Sequence, residues 1–325
     1  MPNTYNTSID VLRIIAGFGI VWAHMHAPYA TLGHMALILF LILTATLSVR
    51  SLENSEKRYF LLKRTWRILV PWLAFCAFYK VLQLAMAKHD LWAELQLNDP
   101  LSLLVGPTIH LWFLPFVLLA SPLCVVAARL IHNRRDVIVG SALATILSLG
   151  ILVVHAFGKL PEPFAQWTFA IPAYFYGILA AYGWKHAVTI APLAFMATIS
   201  AALYLLTGED WAPQYLLAAL LFEAAWRIPL ASKKLKSYAQ MVFGIYLIHP
   251  FFMLVVFKYY GPAIARPLTI DRAYGAILAY AMSATAVLVF QTGVKHALAL
   301  FKRHAAPRLE EAALSASPHN MPEAR

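Results

Sequence analysis

Apolar runs long enough to cross a bilayer recur along this sequence from one end to the other, and no other feature limits its fold so tightly. A spanning helix needs about 20 mostly apolar residues, because in hydrocarbon its backbone polar groups must bond to one another. Ten such runs can be laid out, at about 9–30, 34–50, 66–88, 109–131, 137–157, 166–184, 187–207, 211–229, 239–259 and 273–301. Pro71, Pro115, Pro172 and Pro250 fall inside them, and neighbouring helices can absorb the kinks. Of the 325 residues, 61% are hydrophobic and 13% charged. Soluble domains carry about 45–50% apolar and about 25% charged residues, so a soluble globular chain is excluded. The expectation is an all-α, polytopic membrane helix bundle of about ten transmembrane helices over residues 1–304. The polar stretch AAPRLEEAALSASPHNMPEAR, residues 305–325, reads as a disordered tail.

Orientation follows from where lysine and arginine fall. Arg50, Lys57, Arg58, Lys63, Arg64 and Arg67 cluster between the second and third runs. Arg134 and Arg135 follow the fourth, Arg227, Lys233, Lys234 and Lys236 the eighth, and Lys302, Arg303 and Arg308 the last. The alternate connections hold acids, with Asp90, Glu94 and Asp99 in one and Glu209 and Asp210 in another. The positive-inside rule therefore puts both termini and the tail in the cytoplasm, against the lone counter-signal of Lys258, Arg266 and Arg272. The net charge of +11 is accounted for by these loops, so no nucleic-acid partner is expected. Cys76 and Cys124 both sit in apolar runs, which argues against a disulfide framework. MPNTYNTS lacks a basic leader region, so the first run reads as a retained span.

The stretch LRIIAGFGIVWAH, Leu12 to His24, carries an arginine and a histidine inside such a run. Eleven helical steps of about 100° bring His24 to within roughly 20° of Arg13, at a rise of about 16.5 Å. The two side chains then share a face three turns apart, with Arg13 near the cytoplasmic end and His24 towards the outer leaflet. Arg13 can be a snorkelling residue paired with Asp10, and His24 a core or interfacial histidine beside His26. Equally, ionisable residues inside a membrane are functional candidates by default, and the pair then marks a stripe across the bilayer.

Other runs add candidates of the same kind. FLLKRTWRILVPW brings Lys63, Arg64 and Arg67 to the cytoplasmic start of the third span. They suit anionic lipid contact, or docking of a polyanionic cytosolic ligand by guanidinium forks. IHLWFLPF sets His110 and Trp112 at the outer start of the fourth span, as an interfacial belt or as contacts for a polar acceptor such as a sugar. GIYLIHPFF puts Tyr246 and His249 at mid-depth on one helical face. Glu223, well inside the eighth run, can pair with Arg227 one turn on or serve chemistry. No Gly-rich phosphate loop, metal-spaced cluster or Ser-His-Asp order is present, so neither a metal nor a permanently bound cofactor is expected.

SIDVLRIIAGFGIVWAH, RTWRILVPW, HLWFLPF and GIYLIHPFF, in that order across about residues 9–300, make the chain resemble acyltransferase family 3. That family consists of bacterial inner-membrane proteins that O-acylate surface glycans and related acceptors. One departure lies in the second span, where the family often carries Phe-Phe…Ser-Gly and this chain reads LILFLILTATLSVR, with Thr44 and Ala45 near the Ser-Gly place. The resemblance implies that Arg13, Arg64 and Arg67, with Lys63 beside them, hold acyl-CoA as co-substrate, and that His24 is catalytic with Arg13 on its helix. His110, Trp112, Tyr246, His249 and Glu223 are the candidates for substrate contact.

The implied partners are acyl-CoA, a glycan or lipid-linked oligosaccharide acceptor, membrane lipids and other proteins of polysaccharide synthesis. Neutral imidazole, with an unperturbed pKa of about 6.5, suits proton abstraction from a sugar hydroxyl. It could instead act as a nucleophile through an acyl-imidazole, but His24 as general base is the favoured reading, since direct transfer needs no second site. A multi-span transporter or flippase for a glycan is the competing class, since it too carries charged residues within about ten spans. A purely structural membrane scaffold is the third.

Overall fold

The computed structural model describes residues 6–86, 101–228, 230, 232–264 and 269–315. Ten long helices run through them: α1 (Thr7–His24), α2 (Leu32–Glu53), α3 (Lys57–Met86), α4 (Phe113–Leu130), α5 (Arg134–Phe157), α6 (Phe164–Lys185), α7 (Ile190–Thr207), α8 (Pro213–Arg227), α9 (Lys233–Ile264) and α10 (Thr269–Ser315). A single turn, Ser102–Val105, and a 3-10 turn, Ile109–Trp112, precede α4, and no strand occurs among the described residues. The all-α, polytopic architecture expected from the apolar runs is therefore present.

Eight of these segments are long and apolar enough to cross a membrane; α6 and α8 do not meet that standard. The physical reason differs for the two. The 15 residues of α8 rise only about 22 Å, short of a hydrocarbon core of about 30 Å. The 22 residues of α6 are long enough, but its three tyrosines, two tryptophans and terminal lysine lower its apolarity. The inner faces of both are sheathed by other helices, with Tyr174, Tyr176 and Ala173 on α6 and Tyr215, Ala218 and Phe222 on α8 at most 1% exposed, while α8 leaves Leu217, Leu220 and Leu221 exposed on its outer face. A helix walled off from lipid can carry polar rings that a lipid-facing one cannot.

The core is organised around α2, whose Ile38, Leu39, Leu41 and Ile42 are fully buried. It packs against α1, α4, α6 and α8. Two glycines permit that crowding. A Cβ on Gly33 would lie 2.0 Å from that of Ala23 on α1, and one on Gly177 would lie 2.5 Å from the Ile42 carbonyl oxygen. Small residues at such crossings let backbones approach, which is how helices associate where lipid removes the hydrophobic driving force.

Polar caps set the ends. Asn6 caps α1 by accepting the Ser8 amide at 2.9 Å, and its side-chain amide donates to the carbonyls of Ala225 and Trp226 at the end of α8. Asn133 and Asp136 form a capping box on α5. Lys185 bonds Glu53 at 2.9 Å, Arg134 donates to the His186 carbonyl at 3.0 Å, and the Arg50 guanidinium lies 4.5 Å from the Trp226 ring centre. These contacts gather the basic connections after α2, α4, α6 and α8 at one end of the bundle. The final helix carries on through residues 305–315, the first half of the stretch read from sequence as a tail, and residues 316–325 lie outside the described residues. The acids Asp90, Glu94 and Asp99 and the cation Arg266 used in the orientation argument also lie outside them.

Candidate functional site

The face shared by Arg13 and His24 opens into two cavities. His24, the last residue of α1, is exposed to one of about 560 Å³, lined also by His34, His110, Trp112, His155 and Tyr246. Arg13 lines the other, of about 950 Å³, together with Lys63, Arg64 and Arg67 from α3.

The histidine end is built on a tight reversal. After His24 the chain leaves the helix, and the Trp22 indole donates to the Pro28 carbonyl at 2.7 Å, folding the turn back on α1. Within it His26 and Tyr29 hold φ values of 52° and 57°, a left-handed conformation that costs a non-glycine residue energy. On its inner side the His24 ring meets His249 of α9, with centroids 5.5 Å apart and planes 26° apart. His249 is fully buried. Its Nδ1 lies 2.7 Å from the Tyr246 carbonyl. A carbonyl only accepts, so Nδ1 carries the hydrogen and neutral His249 presents a lone pair at Nε2. That Nε2 has no hydrogen-bond partner among the described residues.

His110 completes the group, 5.3 Å from His249 and, on its other side, 5.3 Å from the ring of Tyr79. It is held by the 3-10 turn before α4, and the Tyr246 hydroxyl donates to its backbone carbonyl. Tyr79 in turn donates to the Leu247 carbonyl at 2.8 Å, tying α3 to α9. Among the described residues, no group of three or more His, Cys, Asp or Glu is placed to hold a metal ion.

At the arginine end, Arg64 is the most constrained cation. Its Nε donates to Ser121 Oγ at 2.5 Å, and Ser121 donates to the Val117 carbonyl at 2.5 Å, which leaves the guanidinium fork aimed by α4. Arg13 pairs with Asp10 at 3.7 Å, as the spacing of three residues predicts, and still lines the cavity. Lys63 and Arg67 are exposed. The result is a cationic basin with an apolar far wall that includes Phe40, Phe113 and Val242.

Phe113 lines both cavities. Its ring lies 5.2 Å from Phe40, which lines the arginine cavity, and 5.4 Å from Tyr246, which lines the histidine cavity. Phe40 and Tyr246 stack at 6.0 Å. Three rings thus stand between the two chambers, where the sequence suggested one continuous stripe.

The structure brings together His24, His110, Trp112, Tyr246 and His249 in one group and Arg13, Lys63, Arg64 and Arg67 in another. It separates Glu223 from both. That carboxylate is buried between helices, 2.8 Å from Arg227 and 3.1 Å from the Tyr176 hydroxyl, and the Arg227 guanidinium lies 4.8 Å from the Trp184 ring centre. Of the two readings of Glu223, the geometry bears out the ion pair one turn on, and the carboxylate lines neither cavity. His34, His155, Gln166 and Trp211 also line the histidine cavity. His34 and His155 each fall inside an apolar run, so the rule that flagged His24 applied to them equally.

Residues 6–291 of the 325-residue chain match the family model described as an acyltransferase domain, acyltransferase family 3. The chain belongs to this family. It is a multi-pass membrane acyltransferase, as the four motifs and their order implied, and nothing found favours the transporter. No curated protein and no solved structure matches the chain. The family match begins at the Asn6 cap of α1 and ends in α10, so both cavities of this acyltransferase lie within it.

Proposed function

We propose that this family member is a bacterial inner-membrane O-acyltransferase. It moves an acyl group, acetyl in the simplest case, from cytosolic acyl-CoA to a hydroxyl of an extracytoplasmic or lipid-linked glycan, with His24 as general base. The observation that carries this reading is the division of labour along α1, with Arg13 opening into a cationic cavity and His24 into a histidine-lined one.

The donor side follows from charge. CoA is an anion with phosphates, and Arg64, Arg67, Lys63 and Arg13 offer it guanidinium forks and an ammonium in one basin. The basic connections at that end are the cytoplasmic ones under the positive-inside rule, which is where acyl-CoA is found. The pantetheine arm, narrow and largely uncharged, enters the apolar wall of the same cavity, and the thioester reaches His24 when Phe113 swings aside.

At the histidine end the reaction balances within the site. A neutral His24 takes the proton of the acceptor hydroxyl as its oxygen attacks the thioester carbonyl. The tetrahedral intermediate collapses, the carbon–sulfur bond breaks, and the His24 imidazolium returns the proton to the CoA thiolate. The aromatic partition keeps bulk water from the thioester until acceptor is present, which suppresses hydrolysis. Other polysaccharide-synthesis proteins and lipids complete the setting in the same membrane.

The test uses the purified full chain in nanodiscs with acetyl-CoA. Free CoA should appear when a glycan acceptor is added, and a mass shift equal to one acetyl group should appear on that glycan. His24→Ala should abolish both while acetyl-CoA still binds. Near wild-type transfer by that variant would overturn the assignment of the base.

A further inference from the structure

The histidine cavity has a second wall that the acyl-transfer chemistry does not use, contributed by α2, α5, α6 and the turn before α8. Its side chains include His34, His155, Gln166, Phe169 and Trp211. Among the described residues the lining contains four histidines besides His24, together with glutamine, threonine and aromatic rings, and no Asp, Glu, Lys or Arg. A site for a phosphate or a carboxylate would carry a cation here, as the arginine cavity does. This one offers rings and neutral hydrogen-bonding groups, the combination that suits an uncharged polyol with an apolar face.

Two of its polar groups are placed to accept hydrogen bonds. The Thr168 hydroxyl is within reach of the carbonyls of Phe164 and Ala165 at 2.8 and 2.9 Å and of His155 Nδ1 at 3.0 Å; with its single hydrogen on a helix carbonyl, its oxygen accepts from Nδ1. In that arrangement neutral His155 carries its hydrogen on Nδ1 and offers Nε2 as an acceptor. Gln166 Oε1 is buried with no hydrogen-bond partner among the described residues, a second acceptor held ready. Both await donors, and sugar hydroxyls are donors.

Trp211 is fixed before any ligand arrives. Its ring is flanked by His155, Phe169 and Tyr215 at centroid distances of 5.4, 5.5 and 6.2 Å. The turn that carries it is pinned by Ser200, which donates to the Ala212 carbonyl at 2.8 Å. It is pinned again by Gln214, whose Oε1 accepts the Met35 amide of α2 at 2.8 Å. Preorganised aromatic and acceptor groups lower the ordering cost of binding a flexible, well-hydrated ligand.

We propose that this wall is an acceptor subsite selective for a neutral pyranose over a uronic acid, with Trp211 as its apolar contact and Gln166 and His155 accepting from ring hydroxyls. The proposal rests on the reading of His24 as the place of glycan acylation for its purpose, but not for its measurement. The cavity of about 560 Å³ has room for more than a single sugar ring beside His24.

The experiment is saturation-transfer NMR on the full chain in nanodiscs, with methyl β-glucopyranoside and methyl β-glucuronide as the paired probes. The glucoside should bind, and the glucuronide should bind at least ten-fold more weakly. Gln166→Leu, which keeps the side chain's volume, and Trp211→Phe should each weaken glucoside binding five-fold or more, with acetyl-CoA affinity as the control for folding. Absence of glucoside binding, equal binding of the two probes, or variants that bind like wild type would each overturn the subsite. Sugar binding with this pattern but no acyl transfer from acetyl-CoA would sink the proposed function and leave the subsite standing.

Discussion

The imidazole of His249 lies against that of His24, ring centroids 5.5 Å apart, with its Nδ1–H held by the Tyr246 carbonyl at 2.7 Å. One ring is exposed to a cavity and the other is fully buried, so they cannot have the same job. The exposed ring can meet a substrate, and the buried one fixes where it stands.

For His24 this gives a sharp expectation. His24→Ala should lower kcat by about 10²–10⁴-fold, the usual worth of a positioned general base. The Kd for acetyl-CoA, measured by isothermal titration, should change little because the donor basin is elsewhere. An equal loss in donor affinity would count against the separation of the two cavities.

His249→Gln should reduce kcat by about ten-fold with KM for acetyl-CoA unchanged, because glutamine retains hydrogen-bonding groups but no ring to support His24. His249→Ala, which also opens a void in the core, should cost about 2–5 kcal/mol of stability as well. Comparing the thermal midpoints of the two variants separates positioning from packing.

Arg64→Ala and Arg67→Ala should raise KM for acetyl-CoA, by about ten-fold or more at Arg64, where a charge-assisted contact is worth about 1.5–3 kcal/mol. Raising ionic strength should weaken donor binding in the wild type more than in either variant, since screening acts on the charges removed. A salt dependence unaltered by both substitutions would dismiss the cationic basin as the donor site.

Phe113→Ala removes a ring that lines both cavities. Acceptor-independent hydrolysis of acetyl-CoA should rise several-fold, and longer acyl-CoA donors should be used better, because the partition both excludes water and limits what passes. Thioester cleavage followed with a thiol reagent reads both effects. A variant as tight to water as the wild type would mean that these rings are not the barrier.

Gly177→Leu should fail to accumulate as folded protein, since even a Cβ at that place would sit 2.5 Å from the Ile42 carbonyl oxygen. Overpacking ordinarily costs about 1–3 kcal/mol, and a backbone atom has nowhere to move. Detergent-solubilised, monodisperse protein at wild-type yield would contradict the close α2–α6 crossing.

How much of this was legible beforehand depends on the reach of the signal. Helices α1 to α5 and α7, α9 and α10 announce themselves, because lipid demands about 20 apolar residues in a row and local composition records it. Arg13, His24 and the Arg64–Arg67 pair stand out for the same reason, as costly residues in such runs. Glu223 stood out too, and its ion pair with Arg227 was visible at a spacing of four residues. Its burial away from both cavities was not visible, because that depends on α6 and its Tyr176.

The sequence by itself therefore determined the class of molecule, the helical stock and the two ends of α1, since each is a matter of neighbouring residues and of the solvent they must face. Only the tertiary structure decided that His24 stands against His249, that Phe113 parts two cavities, and that His155, Gln166 and Trp211 share a wall. Those residues come from α1, α4, α5, α6, α9 and the turn before α8, tens to hundreds of positions apart. Helix packing, set by small residues such as Gly33 and Gly177, brings them within reach of one another, and no local pattern encodes that distance.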